Sequence, residues 1–127
     1  MRFIAFCCVL LVVGCDTLGG RAVVLKLQPA SKASEVQQVL QVLDRALPAE
    51  GASRVASSST NEHRIAYYIG GGFSCTVRRG DDELIVDFRN PGVTSSSRPT
   101  PKVRQVSAAV AEDLKGVYGD RRVRFER

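Results

Sequence analysis

The chain has 127 residues, a formal net charge of +5, four cysteines and a composition that is 44% hydrophobic. This length suits one small domain that is stabilised by an ordinary hydrophobic core. The single histidine excludes a metal site built on two histidine ligands.

The N-terminal residues have the pattern of an export signal. Arg2 is followed by an uninterrupted apolar run over residues 3–13, and then by Gly14 and Cys15. A positive start, an apolar core of about 7–15 residues and a small residue at the cleavage site characterise secretory signal peptides. The run is too short for a membrane span, which needs about 20 apolar residues. The sequence therefore predicts a signal peptide over residues 1–14.

The residues around the cleavage site resemble the corresponding motif of bacterial lipoproteins. Val12, Val13 and Gly14 supply the apolar, apolar and small residues that precede the lipidated cysteine in that family. The resemblance implies a thioether-linked diacylglycerol on Cys15, and hence an extracytoplasmic, lipid-anchored protein of the bacterial cell envelope. Either the inner or the outer membrane is compatible with this. Residues 15–20 are expected to be the lipidated N-terminus and a short tether that keeps the domain against the membrane.

Removal of the signal peptide simplifies the cysteine chemistry. Cys7 and Cys8 leave with it and Cys15 carries lipid, so Cys75 has no intrachain partner. Because the signal peptide contains one basic residue, the formal charge falls from +5 to +4. Residues 21–127 are then expected to form a single α/β domain without a disulfide.

Hydrophobic periodicity in this domain predicts strands and two helices. Alternating apolar residues indicate half-buried strands, whereas residues 36–47 and 103–117 have apolar side chains at helical spacing. Three glycines, Gly70 to Gly72, form a hairpin turn that tolerates positive φ. The predicted elements are a strand at 22–27, a helix capped by Ser31 or Ser34 and stopped by Pro48 and Gly51, an optional edge strand at 54–57, strands at 64–69, 73–78 and 83–89, a helix at 102–118 and a strand at 122–125.

This order of elements predicts a two-layer α/β sandwich. Each helix has one apolar stripe, so both helices can cover the same face of a mostly antiparallel sheet. The arrangement resembles a ferredoxin-like fold with an extra strand.

Alternation along the strands assigns the side chains to two faces of the sheet. Ile65, Tyr67 and Ile69 are assigned to the helix-covered face together with Cys75, and Tyr68 to the opposite face. The opposite face also collects six basic side chains, namely Lys26, Arg64, Arg78, Arg89, Arg122 and Arg124.

This basic face is the candidate binding surface. Guanidinium groups bind phosphates and carboxylates bidentately, so the partner is expected to be an acidic envelope protein, an anionic lipid or a cell-wall component. Asp87 and Glu126 are assigned to the same face. The alternative is therefore an ordinary solvated sheet face with internal ion pairs.

The sequence contains no set of residues that identifies a reaction or a cofactor. His63 follows Glu62 at a loop edge, and the apolar alternation around Cys75 favours a buried, inert thiol. Gly70 to Gly72 do not form a phosphate loop, because a strand follows them and no Lys-Ser/Thr pair does. Nucleic acid is not an expected partner, although the pI of about 9.3 would suit it, because the protein is exported. The favoured function is a lipid-anchored accessory or binding module, and the alternative is a small envelope enzyme whose catalytic residues are unidentified.

Overall fold

The computed structural model describes residues 19–56, 64–92 and 98–126, so the predicted signal peptide, Cys15 and His63 lie outside the described residues. A six-stranded antiparallel sheet and two helices form the predicted two-layer α/β arrangement. The strands are β1 (Gly20–Lys26), β2 (Ala52–Arg54), β3 (Arg64–Gly70), β4 (Phe73–Arg79), β5 (Glu83–Arg89) and β6 (Val123–Phe125), the helices are α1 (Lys32–Ala49) and α2 (Pro101–Tyr118), and a 3₁₀ turn at Pro29–Ser31 precedes α1.

The strand order in the sheet is β2-β3-β4-β5-β1-β6, and all neighbouring strands are antiparallel. The last four strands of this series follow the order of a ferredoxin-like sheet, and β2 and β3 extend the sheet beyond β4. Both helices contribute their apolar stripes to one hydrophobic core on the same side of the sheet. The other side of the sheet is therefore not covered by a described helix.

Local chemistry sets the bounds of α2. Thr100 is its N-cap, and the Thr100 hydroxyl accepts a hydrogen bond from the Val103 N–H at 3.2 Å. Gly119 ends the helix with a φ of 89°, as its position after the apolar stripe predicts. No helix among the described residues combines the length and the apolar character that a membrane span requires.

The start of α1 differs from the prediction of a serine side-chain cap. Ser31 occupies the N-cap position without a capping side-chain hydrogen bond, and the Ser34 hydroxyl donates to the Ser31 carbonyl. Ser31 is thus the cap residue by position only, and Glu35 Oε1 instead accepts the N–H of Gln28, which precedes the 3₁₀ turn, at 2.8 Å. At the other end, α1 includes Pro48 in its last turn and ends one residue later.

The glycine turn between β3 and β4 is confirmed. Gly71 and Gly72 have φ values of 66° and 86°, which suit a two-residue hairpin turn. A Cβ atom on Gly71 would lie only 2.1 Å from the Glu50 carbonyl oxygen. Glycine is therefore required both for the turn and for its close approach to the end of α1.

A β-bulge in β3 changes which residues face the helices. Arg64 pairs with Arg78, but the next pair along the strands is Ala66 with Val77. Ile65 is thus an extra residue that has no partner on β4. Because side chains alternate with a period of two, one extra residue reverses the facing of every residue that follows it.

The predicted facing of residues 66–69 was wrong for this reason. Tyr68 is fully buried on the helix side, and its hydroxyl donates to Asp44 Oδ1 at 2.7 Å. Tyr67 and Ile69 lie on the uncovered side of the sheet, where Ile69 is 52% exposed. The bulge leaves Arg64 on the uncovered side, so the basic face keeps this arginine.

Candidate functional site

The uncovered side of the sheet carries five of the six predicted basic residues. They extend from alternate positions of β1, β3, β4, β5 and β6, whose intervening residues enter the core. We call this surface the arginine face, and it consists of Lys26, Arg64, Arg78, Arg89 and Arg124.

Three of its arginines lie in one row across the sheet. Arg64 is directly opposite Arg78, and Ile85 and Val24 continue the row to Arg124. Adjacent strands are about 4.8 Å apart, so Arg64 and Arg78 are like charges in close proximity. Such a pair opposes folding unless a counter-charge is close by. The Asp87 carboxylate, 3.7 Å from Arg78 Nη2, supplies such a counter-charge.

Carboxylates on the same face hold several of the arginines in place. Asp87, which is 6% exposed, accepts a hydrogen bond from Arg89 Nε at 3.1 Å, and Arg78 Nη2 is 3.7 Å from the same Oδ2 atom. Arg124 Nη2 donates to Glu83 Oε1 at 2.9 Å. The ion pairs of the alternative interpretation are therefore present.

These carboxylates do not neutralise the face. Five basic side chains lie with three acidic ones, namely Glu83 and Asp87 on β5 and Glu126 directly after β6, where the Glu126 N–H still donates to the Ala22 carbonyl. The described face thus has an excess of two positive charges. About half of the Arg78, Arg89 and Arg124 side-chain surface remains exposed, with values of 43, 55 and 57%.

A cavity adjoins the arginine face at Arg64. It has a volume of about 200 Å³ and is lined by Arg54, Val55, Ala56, Arg64, Ile65, Ala66 and Tyr67. The Arg64 guanidinium lies 4.7 Å from the centre of the Tyr67 ring, which orients it at the cavity rim. Arg54 donates two hydrogen bonds to Asp44, at 3.1 and 2.8 Å. Alternation along the strands assigned Tyr67 to the helix-covered face and gave no facing for Arg54, because the bulge and the position of β2 have no clear sequence signal.

Arg122 is not part of this face, and its predicted position was wrong. It precedes β6, and its guanidinium reaches the N-terminal region of α1, where Nη2 binds Glu35 Oε2 at 2.5 Å. Its Nε donates to the Lys26 carbonyl at 3.0 Å, and the guanidinium lies 5.0 Å from the centre of the Tyr118 ring. Alternation fails here because the residue lies beyond the strand, where its direction depends on tertiary contacts.

The ion pair of Arg122 determines the ionisation of Glu35. Burial opposes ionisation, but the hydrogen bonds from Arg122 and from the Gln28 N–H outweigh it and lower the pKa of Glu35. Since both side chains are largely buried, this pair is a structural link between α1 and the strand β6.

The residues with catalytic potential do not converge. Cys75 is fully buried in the core, and burial together with the negative charge of Asp87 raises the pKa of its thiol. A protonated, inaccessible thiol does not act as a nucleophile at neutral pH. Across residues 19–56, 64–92 and 98–126, no three His, Cys, Asp or Glu side chains lie close enough to hold a metal ion.

Comparisons with protein-family models, with curated proteins and with solved structures find no match to this chain.

Proposed function

We propose that this protein is a lipid-anchored binding module of the bacterial cell envelope and that its arginine face binds an anionic partner. The row that contains Arg64, Arg78 and Arg124 carries the proposal. In this row, two like charges face each other on adjacent strands. The row lies on the side of the sheet that neither helix covers, and this side has an excess of positive charge.

The lipid anchor rests on the sequence around Cys15. The apolar run and the residues Val12 to Gly14 resemble the export signal of bacterial lipoproteins. A lipidated Cys15 would hold several acyl chains in the bilayer, and each buried methylene contributes about 0.8 kcal/mol. The domain would then remain next to envelope components at a high local concentration.

The chemistry of the arginine face favours a partner that bears carboxylates or phosphates. Guanidinium groups bind such anions through two parallel hydrogen bonds. Arg64 and Arg78 lie opposite each other, so one anion could accept hydrogen bonds from both guanidinium groups. Ile85 and Val24 continue the row, and Ile85 is partly exposed there whereas Val24 is buried.

Chemical cross-linking in intact cells tests both parts of the proposal. We expect full-length protein purified from membranes to bring down a defined partner. The double variant R64Q/R78Q is expected to lose that partner while it stays in the membrane. Its matched control, R45Q/R121Q, removes two exposed arginines outside the arginine face and is expected to keep the partner.

The variant Cys15→Ala reports on the anchor. It is expected to lose labelled palmitate and to leave the membrane fraction. A Cys15→Ala protein that still sediments with membranes and still carries fatty acid would contradict the anchor. Equal capture by R64Q/R78Q and R45Q/R121Q would contradict the role of the arginine face.

A further inference from the structure

The described chain begins at the same end of the sheet at which several other segments meet. The Asn90 N–H donates to the Gly19 carbonyl at 2.7 Å, which places the start of β1 beside the end of β5. The Thr100 N–H donates to Asn90 Oδ1 at 2.8 Å, so the start of α2 is close by. We call this region the anchor end, and it comprises residues 19–20, 50–51, 70–72, 89–92 and 98–104.

The helix layer and the β3–β4 turn close this region. Lys102 Nζ on α2 binds Glu50 Oε2 at 2.5 Å, just beyond α1. A Cβ on Gly71 would meet the Glu50 carbonyl oxygen, and a Cβ on Gly72 would lie 3.9 Å from Lys102 Cγ. The anchor end is therefore one connected surface on which each segment contacts another.

The covalent chain limits how far this surface can be from Cys15. Gly19 follows Cys15 by four residues, and each residue spans at most about 3.6 Å, so the two Cα atoms are at most about 14 Å apart. Because a lipidated Cys15 lies at the membrane surface, Gly19 at the anchor end is within about two Debye lengths of the headgroups. The opposite end of the sheet is farther away by the length of a seven-residue strand, about 20 Å.

The anchor end has a net positive charge, as binding to an anionic bilayer requires. It contains four basic residues, Arg89, Arg98, Lys102 and Arg104, and one acidic residue, Glu50. The opposite end, comprising residues 26–32, 79–83 and 118–122, has five basic and four acidic residues. When the carboxylates that bind Arg89 and Arg122, namely Asp87 and Glu35, are included, the excess of positive charge is two at the anchor end and zero at the opposite end.

An exposed apolar side chain lies in one row of the sheet with Arg89. Ile69 is 52% exposed at the end of β3, in a row that Ser74, Arg89 and Gly20 continue across the sheet. A domain end that carries both basic and apolar side chains suits the headgroup region, where peripheral surfaces combine the two kinds of contact.

We infer that the anchor end docks on the phosphate headgroups of the bilayer that holds the lipid on Cys15, which gives the anchor a second, electrostatic contact. In this orientation the strands stand away from the membrane, and the arginine face points sideways, accessible to a partner. The inference rests on the proposed lipid anchor. Membrane attachment through one lipid-modified site and a basic patch is more stable than through either alone.

Headgroup quenching of a fluorophore tests this orientation in the full-length, lipidated protein. It is reconstituted in vesicles of phosphatidylcholine, with or without phosphatidylglycerol, that contain nitroxide-labelled headgroups. Single cysteines are introduced as Pro91→Cys at the anchor end and Asp81→Cys at the opposite end, both exposed positions. Thiol labelling is selective for them because Cys75 is fully buried.

We expect strong quenching at position 91 and weak quenching at position 81 in anionic vesicles, with a smaller difference in neutral vesicles and at high salt. The variant R98Q/R104Q is expected to reduce the ratio of docked to undocked domain about tenfold, because each basic residue near an anionic surface adds to binding. The control R45Q/R121Q loses the same charge elsewhere and is expected to retain this ratio.

Two results would overturn the inference while leaving the anchor intact. These are equal quenching at both positions in a protein that carries lipid, and equal docking of R98Q/R104Q and R45Q/R121Q. Failure of the anchor itself would look different, because wild-type protein would then incorporate no palmitate and would separate from the vesicles.

Discussion

Tyr68→Ala is expected to lower the free energy of unfolding by about 4 kcal/mol, whereas Tyr67→Ala is expected to lower it by less than about 1 kcal/mol. Tyr68 is fully buried, and its hydroxyl binds Asp44 at 2.7 Å, so truncation leaves a large cavity and removes the hydrogen bond. Tyr67 lies on the half-exposed face beside Arg64. Chemical denaturation of the two variants measures this difference.

The comparison is a direct test of the bulge at Ile65. The two substitutions remove the same side chain from adjacent residues of one strand, and only the facing of each residue differs. Equal losses, or a larger loss for Tyr67→Ala, would mean that strict alternation continues through β3. The arginine face would then contain Tyr68 instead of Tyr67, and Ile69 would not be exposed beside the anchor end.

Glu35→Gln is expected to lower the free energy of unfolding by about 2–4 kcal/mol at pH 7, because it leaves the largely buried Arg122 guanidinium without its carboxylate. The pKa of Glu35 is below its ordinary value of 4.5 in the folded protein. The ionised carboxylate therefore stabilises the fold above about pH 4.5, and this contribution disappears as the pH falls through the folded-state pKa.

Urea denaturation at pH 7 and at pH 3 separates this effect from general acid sensitivity. The gap in stability between wild type and Glu35→Gln is expected to be narrower at pH 3 than at pH 7, because the stabilisation from a lowered pKa declines once the pH is below the ordinary value of 4.5. Glu112→Gln is the matched control, since Glu112 is exposed and 3.7 Å from Lys115, and its effect is expected to stay within about 0.5 kcal/mol. A gap that is the same at both pH values would contradict a role for the ionised pair.

The two helices and most strands could be predicted because their burial follows a simple period. The stripe of Val103, Val106, Val110 and Leu114 recurs at helical spacing, and all four residues are buried. Gly71 and Gly119 indicated the positions of turns, because both have a positive φ that other residue types rarely adopt. In these segments, the residues that favour the local conformation are also the ones that the tertiary packing requires.

The β3 strand shows where this reasoning fails. Residues 65–69 read Ile-Ala-Tyr-Tyr-Ile, so either phase of alternation places apolar side chains in the core. The structure uses the phase that gives Tyr68 a hydroxyl partner on α1, and that partner is 24 positions earlier in the chain. Nothing local to the strand distinguishes the two phases.

Arg122 was misplaced for a related reason. A residue beyond the end of a strand has no fixed facing, and its partner Glu35 is 87 positions away in the chain. Of the remaining five basic residues, four lie within regular parts of their strands, and Arg64 keeps its assigned facing because it precedes the bulge. The arginine face could thus be predicted in outline, whereas its adjoining cavity depends on the bulge and on β2.

The most direct test of the binding role is a site-specific cross-link in living cells. A photoreactive phenylalanine derivative replaces Thr76 at the centre of the arginine face, between Tyr67 and Asp87, or replaces the exposed Ala109 on α2 as a control. We expect a defined adduct from position 76 that is absent from position 109 and is lost in R64Q/R78Q. An adduct only from position 109, or one from position 76 that survives R64Q/R78Q, would contradict the proposal that the arginine face binds the partner.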